Sequence, residues 1–132
     1  MSRKNVEIVR AAYAAWNCGD MDAALRHAHP DIEFLQDSRI PGAVNLVGRS
    51  VVREWLDSFQ VTWEWFRIAP ERVEPVGDRI LVVARVSAKG KMSEAEVEQR
   101  VGHVLTIHDG QMLRWSSYAN SADALEAVGL SE

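Results

Sequence analysis

Apolar residues in the first half of the chain recur at intervals of three and four positions, which is the spacing of one helical face. In the first predicted helix these residues are Val6, Val9, Tyr13 and Trp16. A second, short helix is predicted to begin after Asp20 and to stop at Pro30, with the apolar residues Met21, Ala24, Leu25 and Ala28. Ser50 can cap a third helix, whose apolar side consists of Val51, Val52, Trp55, Leu56 and Phe59.

The second half of the chain changes to the alternating pattern of β-strands. Stretches rich in β-branched and aromatic residues cover positions 61–68, 79–88, 94–107 and 111–118, separated by turn dipeptides at 77–78, 89–90 and 109–110. This pattern predicts hairpin-linked antiparallel strands, followed by a last helical turn that begins at Ser121 or Asp123. Helices segregated from antiparallel strands define the α+β class. We expect a curved sheet that wraps around the three N-terminal helices and leaves an internal pocket.

The segment DIEFLQDS, residues 31–38, is predicted to be a strand with its acids on one side. Alternation directs Ile32, Phe34 and Gln36 to one face, and Asp31, Glu33, Leu35 and Asp37 to the other. If the apolar pair faces the pocket, Gln36 faces it too. A shift of one residue, or a bulge near residue 36, would instead present Asp37 as a base. Both registers remain open at this point.

Composition limits the kinds of partner. With 132 residues, 47% of them hydrophobic, the chain is long enough for one well-buried core, and we expect a single domain over residues 1–132. The 15 basic and 19 acidic residues create no basic field, so we expect no nucleic-acid partner. No apolar stretch approaches the length of a membrane span, and Cys18 is the single cysteine. We therefore expect a cytoplasmic protein without a membrane partner.

Several phrases, in their order and spacing, resemble the SnoaL-like branch of the nuclear-transport-factor-2-like superfamily over essentially the whole chain. They are VRAAYAAWNCGDMDAAL, HPDIEF, GRSVVREWL, VEQRVGHVLTIHDGQMLRW and ALEAVGL. The resemblance implies a conical α+β barrel with a pocket in its mouth, and usually a homodimer through the outer face of the sheet. It does not name a reaction, because this fold hosts isomerases, cyclases, hydratases, epoxide hydrolases and non-catalytic binding modules.

The resemblance includes ketosteroid isomerase, whose mechanism needs a carboxylate base and a Tyr and a protonated Asp that hold the dienolate oxygen. The isomerase Tyr matches Tyr13, but its base falls on Gln36 and its protonated Asp on Gly102. This chain therefore lacks both acids of that site, and a mechanism that moves a proton through a carboxylate does not carry over unchanged.

Limonene-type epoxide hydrolase is the second enzyme pattern, with an Asp-Arg-Asp set and a Tyr and an Asn that hold the attacking water. Arg85 matches its Arg and Gln36 its Asn, whereas Phe34 replaces the Tyr. Ser87 and Ser117 stand in place of the two Asp. This second pattern has lost its acids as well.

Three arginines on predicted strands, Arg85, Arg100 and Arg114, suggest a cationic pocket, because the guanidinium group suits carboxylates, enolates and phosphates. Arg114 is the strongest of these candidates, since alternation places it on one face with Ser116 and Tyr118. The alternative is that all three pair with surface acids such as Glu96 and Glu98.

The hairpin IHDGQ decides which way His103 faces. A two-residue Asp-Gly turn would pair His103 with Ser116 and place the imidazole in the pocket, where it could serve as a general acid or base. A three-residue turn would instead pair Gly102 with Ser116 and turn His103 outward. His27 and His29 lie two positions apart without a supporting acid motif, so we expect no metal site.

The sequence favours a small-molecule pocket protein without a cofactor, whose ligand is apolar or aromatic and oxygenated or anionic. Its expected ligand-binding residues are Trp16, Phe34, Gln36, Trp55, Phe59, Arg85, Arg100, Arg114 and Tyr118. As an enzyme it would be an isomerase or a polyketide-cyclase-like lyase acting next to a carbonyl. His103 or Asp37 would then be the base, and Tyr13 with an arginine would stabilise the enolate. The alternatives are a non-catalytic dimeric binding or interaction module and an epoxide-hydrolase-like enzyme that adds water.

Overall fold

The computed structural model describes residues 2–130, apart from the side chains at positions 2 and 60, and over this range the chain forms four helices and six strands. The helices are α1 (Ser2–Asn17), α2 (Met21–Ala24), α3 (Arg49–Thr62) and α4 (Ser121–Ala127). The strands are β1 (Ala28–Gln36), β2 (Asn45–Val47), β3 (Trp63–Val76), β4 (Arg79–Gly90), β5 (Glu96–His108) and β6 (Gln111–Tyr118). Within residues 2–130, none of the helices has both the length and the apolar character that crossing a membrane requires.

The strands form one curved, unclosed sheet in the order β2-β1-β6-β5-β4-β3. Neighbouring strands are antiparallel, except that β1 pairs with β6 in parallel. The predicted α+β class with helices against a curved sheet is confirmed. The sheet itself is mixed, because β1 reaches the sheet from the helical half of the chain and lies beside the last strand.

The main core lies between the concave face of the sheet and the helices α1 and α3. Its largest fully buried side chains include Tyr13 from α1, Leu56 from α3, and Phe34 and Trp115 from the sheet. The α4 helix lies on the other face, where Leu125 packs in a second cluster with residues of β4 and β5. The concave face therefore remains available to the N-terminal helices.

Several element boundaries differ from the sequence predictions. The side chain of Asp20 caps α2 as expected, but α2 ends at Ala24, and Ala28 belongs to β1 because strand pairing with β6 begins there. The cap of α3 is Gly48 rather than Ser50. Gly48 has φ 106°, a conformation that a residue without a Cβ adopts easily, and its N–H donates to the carbonyl of Ile32 at 2.8 Å.

The sheet also contains strand segments that the alternation pattern did not predict. The three-residue β2 pairs with β1, and β3 continues to Val76 instead of ending at residue 68. This extension passes through Pro70 and Pro75, which a strand tolerates at the edge of a sheet and next to a bulge. Both conditions hold, since β3 is an edge strand and its register shifts between Pro70 and Arg72.

Candidate functional site

A cavity of about 620 Å³ lies between the helices and the concave face of the sheet. Besides Tyr118, the cavity is lined by a set of phenylalanine and tryptophan side chains that we call the aromatic wall: Trp16, Phe34, Trp55, Phe59, Trp63 and Phe66. Four predicted ligand-binding residues, Trp16, Phe34, Trp55 and Phe59, belong to the wall. Among the described residues that line the cavity, none carries a carboxylate.

The rings of the aromatic wall contact one another and form a continuous surface. The ring centroids of Phe59 and Phe66 are 4.8 Å apart, and those of Trp55 lie 5.1 Å from Phe34 and 5.2 Å from Phe59. The ring of Trp16 stacks on Phe66 at 5.6 Å. These spacings are typical of packed aromatic pairs. The wall is therefore a continuous, preformed apolar surface.

Three polar residues lie side by side across the sheet where it faces the cavity. Gln36 on β1 is paired with Ser117 on β6, and Ser117 is in turn paired with His103 on β5. Paired residues on neighbouring strands lie about 5 Å apart and point to the same face. All three side chains line the cavity. We call this set the polar row: Gln36, Ser117 and His103.

Gln36 settles the register that the segment DIEFLQDS left open. Ile32 and Phe34 are buried, and Gln36 faces the cavity with them, as alternation predicted. The side-chain oxygen of Gln36 accepts a hydrogen bond from the backbone N–H of Val44 at 3.1 Å. The backbone N–H of Val44 can only donate, so the amide atom that faces it must be the oxygen of Gln36. The NH₂ group of Gln36 therefore remains available to donate.

Asp37 lies outside the cavity, in an adjoining groove, and its carboxylate binds Arg39. Hydrogen bonds from the backbone and the guanidinium group of Arg39 lower the pKa of Asp37. Arg39 also pairs with Asp123 at the start of α4. An ionised carboxylate held in this way is not placed to take a proton from a molecule in the cavity.

His103 is buried and forms the most enclosed polar contact of the site. Its Nδ1 lies 2.5 Å from the hydroxyl oxygen of Tyr13 and 3.3 Å from the indole nitrogen of Trp115. Burial lowers the pKa of His103 to about 4. Burial also raises the pKa of Tyr13, and the nearby side chain of Trp115 opposes this rise only in part. Both side chains are therefore uncharged at neutral pH.

The hairpin between β5 and β6 explains why His103 faces inward. Asp109 and Gly110 form the two-residue turn, with φ 53° and 76°. A register shift follows the turn and leaves Leu113 as an extra residue in β6. His103 consequently pairs with Ser117 rather than with Ser116. Of the two turns considered, the two-residue turn forms and His103 faces the cavity, but its predicted pairing with Ser116 is wrong by one residue; the three-residue turn, which would turn His103 outward, does not form.

The three predicted pocket arginines do not line the cavity, so the expectation of a cationic pocket is wrong. Arg85 pairs with Glu71 and Glu98, and Arg100 pairs with Glu71 as well. The reason is strand parity, since Arg85 and Arg100 are paired across β4 and β5 on the outer face.

Arg114 lies on the same outer face for a related reason. The extra residue in β6 turns Trp115 and Ser117 inward and Arg114 outward, where it binds Glu33 at 3.2 Å. Tyr118, which was predicted to share its face with Arg114, lines the cavity instead.

Sequence reasoning missed several residues of the site. Arg39 follows the strand in an irregular loop, so no periodicity indicated its position at the cavity. Ser117 was considered only as the replacement of a catalytic acid. Trp63 and Phe66 both line the cavity although they are three positions apart, because the register of β3 shifts between Trp63 and Trp65.

The mixed sheet, the helices packed on its concave face and the cavity between them define a protein of the NTF2-like, ketosteroid-isomerase-like fold class. The chain belongs to the SnoaL-like domain family, whose model matches residues 9–115. A comparison with curated protein sequences finds no significant match.

Solved structures with little sequence identity share this fold. TerC, co-crystallised with polyporic acid, has a TM-score of 0.78 at 21% identity, over 95% of this chain and 98% of that chain. An NTF2-like protein of unknown function from Burkholderia pseudomallei K96243 has a TM-score of 0.81 at 17% identity, over 96% and 98%. An LEH-like epoxide hydrolase from M. tuberculosis has a TM-score of 0.77 at 16% identity, over 96% and 90%.

Proposed function

We propose that this protein binds a flat, largely apolar and uncharged small molecule whose oxygen substituent lies on the polar row. The observation that carries this proposal is the position of Gln36, Ser117 and His103 side by side within an otherwise apolar, aromatic cavity. A cavity of about 620 Å³ is within the usual size range of small-molecule sites, in which a few polar groups orient a mostly apolar ligand.

An uncharged ligand fits the charges around the cavity better than the anion considered from the sequence. Arg39 is the lining residue with a positive charge, and it is already paired with the two carboxylates of Asp37 and Asp123. The groups that the polar row offers are an amide, a hydroxyl and a neutral imidazole. An anion that entered the cavity would lose its hydration, and among the described lining residues it would find no unpaired cation to compensate for that loss.

Binding is favoured over proton transfer because neither predicted base is available. Asp37 lies outside the cavity, and the Nδ1 of His103 faces Tyr13. One observation still supports an isomerase or a cyclase acting next to a carbonyl as the second candidate. Neighbouring hydrogen-bond donors could stabilise the negative charge that develops on an enolate oxygen. The base would then have to be a bound water or a group of the substrate itself.

The binding proposal can be tested with 9-fluorenone, a flat and uncharged aromatic ketone. We expect quenching of tryptophan fluorescence and a rise in melting temperature, with much weaker effects from 9-fluorenone-4-carboxylate. Ser117→Ala should weaken binding several-fold, about as much as the loss of one hydrogen bond. The matched control is Ser116→Ala on the neighbouring position, which should leave the affinity unchanged. Equal binding of the ketone and the carboxylate, or equal effects of the two substitutions, would contradict the proposal.

The catalytic candidate has a separate test. If the polar row stabilises the enolate, the protein should accelerate the exchange of the α-protons of 1-tetralone with deuterium in D₂O. Proton NMR would measure this exchange against the rate with Ser117→Ala and without protein. No acceleration over the protein-free rate would leave binding as the function and exclude enolisation of this ketone.

The homodimer through the outer face of the sheet stays a prediction. The outer face carries the ion pairs of Arg85, Arg100 and Arg114, so a dimer formed there should weaken at high salt. Sedimentation velocity at low and high ionic strength would test it, and a monomer at all concentrations would refute it.

A further inference from the structure

The hydrogen bonds around His103 determine which ring nitrogen carries the proton. The indole N–H of Trp115 can only donate, and it lies 3.3 Å from Nδ1. Because Nδ1 accepts from the indole, the hydroxyl of Tyr13, 2.5 Å from the same nitrogen, has to donate, and the two donors share one lone pair. Nδ1 therefore has to be the lone-pair nitrogen of the ring. In a neutral imidazole the proton then resides on Nε2.

The second ring nitrogen is left for the ligand. Within residues 2–130, the hydrogen bonds of His103 involve Nδ1 and not Nε2. In the same range, every side-chain nitrogen or oxygen that is fully shielded from solvent has a hydrogen-bond partner. Nε2 is consequently not sealed inside the core, and the ring lines the cavity. His103 thus presents an N–H group, and not a lone pair, to whatever occupies the cavity.

We propose that Tyr13 and Trp115 are positioning residues that hold His103 in the Nε2–H tautomer, so that the cavity selects ligands with a carbonyl acceptor over ligands that can only donate. This inference rests on the proposed binding function and specifies the ligand class. Tyr13 itself lies behind the imidazole, away from the residues that line the cavity. Its effect on the ligand is therefore transmitted through His103.

The polar row as a whole supports this selectivity. The oxygen of the Gln36 side chain is occupied by the backbone N–H of Val44, so its amide also presents donors. The hydroxyl of Ser117 can donate or accept. A ligand with a carbonyl oxygen meets complementary groups along the row. A ligand that only donates would bring its N–H group against the N–H of His103, and one of the two would stay unpaired.

Three flat tricyclic molecules of similar size separate acceptor, donor and apolar contributions: 9-fluorenone accepts, carbazole only donates, and fluorene does neither. We expect fluorenone to bind about tenfold more tightly than carbazole, which corresponds to one satisfied hydrogen bond against one unpaired buried group. Isothermal titration or tryptophan quenching measures the three dissociation constants. Equal affinity for fluorenone and carbazole would overturn the selectivity.

The tautomer can be observed directly in the free protein by ¹⁵N NMR of the histidine side chains at pH 7. We expect Nδ1 of His103 to resonate as an unprotonated nitrogen and Nε2 as a protonated one. The exposed His27 provides an internal reference for an imidazole that exchanges between tautomers. Resonances of His103 at the average of the two tautomers would overturn the proposal. This measurement needs no ligand and no substitution.

Tyr13→Phe removes the closer of the two donors. We expect the ¹⁵N resonances of His103 to move toward the tautomeric average and the preference for fluorenone over carbazole to fall. Tyr118→Phe is the matched control, because Tyr118 also lines the cavity but is not hydrogen-bonded to His103. This substitution should leave the tautomer of His103 unchanged. Unaltered resonances in Tyr13→Phe would show that Tyr13 does not set the tautomer. Absence of any fluorenone binding would refute the proposed function while leaving the tautomer result intact.

Discussion

Acid should destabilise this protein through His103. The pKa of His103 is lowered by burial to about 4, from an ordinary value of 6.5 in an unfolded chain. Between these two pH values the unfolded chain binds a proton that the folded chain excludes, so folding becomes less favourable as the pH falls. The stabilising contribution is complete above pH 6.5 and is lost progressively down to pH 4.

The size of the effect follows from the same values. Each pKa unit between the folded and unfolded states corresponds to about 1.4 kcal/mol, so neutral His103 accounts for about 3 kcal/mol that disappears in acid. That is a large part of the stability of an ordinary domain, which is about 5–15 kcal/mol. The tryptophans report unfolding, so urea titrations followed by fluorescence at pH 7.5, 6, 5 and 4.5 can measure it.

His103→Asn isolates this contribution. The asparagine oxygen can accept the hydrogen bond from Tyr13 but does not titrate, whereas the acidic residues, including Asp37 with its lowered pKa, titrate in both proteins. We expect the stability of the wild-type protein relative to the variant to fall by about 2–3 kcal/mol from pH 7.5 to pH 4.5. Parallel pH profiles of the two proteins would refute the reasoning, because they would mean that the cavity accommodates a charged imidazole.

Two further substitutions test the packing of α4 and the ion pair that Arg39 forms beside the cavity. A Cβ at position 102 would lie 2.4 Å from the Cβ of Ala124, so Gly102→Ala should lower the free energy of unfolding by about 1–3 kcal/mol in urea titrations. In Gly90→Ala the nearest atom is 3.8 Å away, and little change is expected. Arg39→Met removes the ion pair with Asp123, and stopped-flow fluorescence should then show faster fluorenone association and dissociation. Unchanged rates would show that the ion pair of Arg39 with Asp123 does not slow the exchange of the ligand.

Local patterns predicted the parts of the fold that local physics decides. The apolar face of α1 and the alternation of Ile32, Phe34 and Gln36 were readable because each depends on residues a few positions apart. The family resemblance added the curved sheet around the helices, and the family model confirms the membership of the family. Alternation therefore predicted the inward face of β1, but the sequence left a shifted register open, and only the structure excludes Asp37 from the cavity.

The rest depends on contacts between distant residues. A single extra residue, Leu113, decides that Ser117 rather than Ser116 faces the cavity, and hydrophobic alternation does not reveal such a shift. Tyr13 and His103 are 90 positions apart, so the contact that fixes the imidazole has no local signal. The partner of an outward arginine such as Arg114 likewise depends on which strand lies beside it.

While the chain is being synthesised, its two halves cannot form one sheet until the last strand appears. In the finished order, β6 lies between β1 and β5. Before residues 111–118 emerge, we therefore expect at most two separate parts of the sheet to form, the β1–β2 hairpin and the β3–β5 meander. Closing contacts of such large sequence separation is slow, and exposed apolar surface in the interval favours aggregation. A chain ending at residue 110 would contain the whole aromatic wall, on α1, α3, β1 and β3, but not the strand that joins the two parts of the sheet. We expect such a chain to need a chaperone or to precipitate.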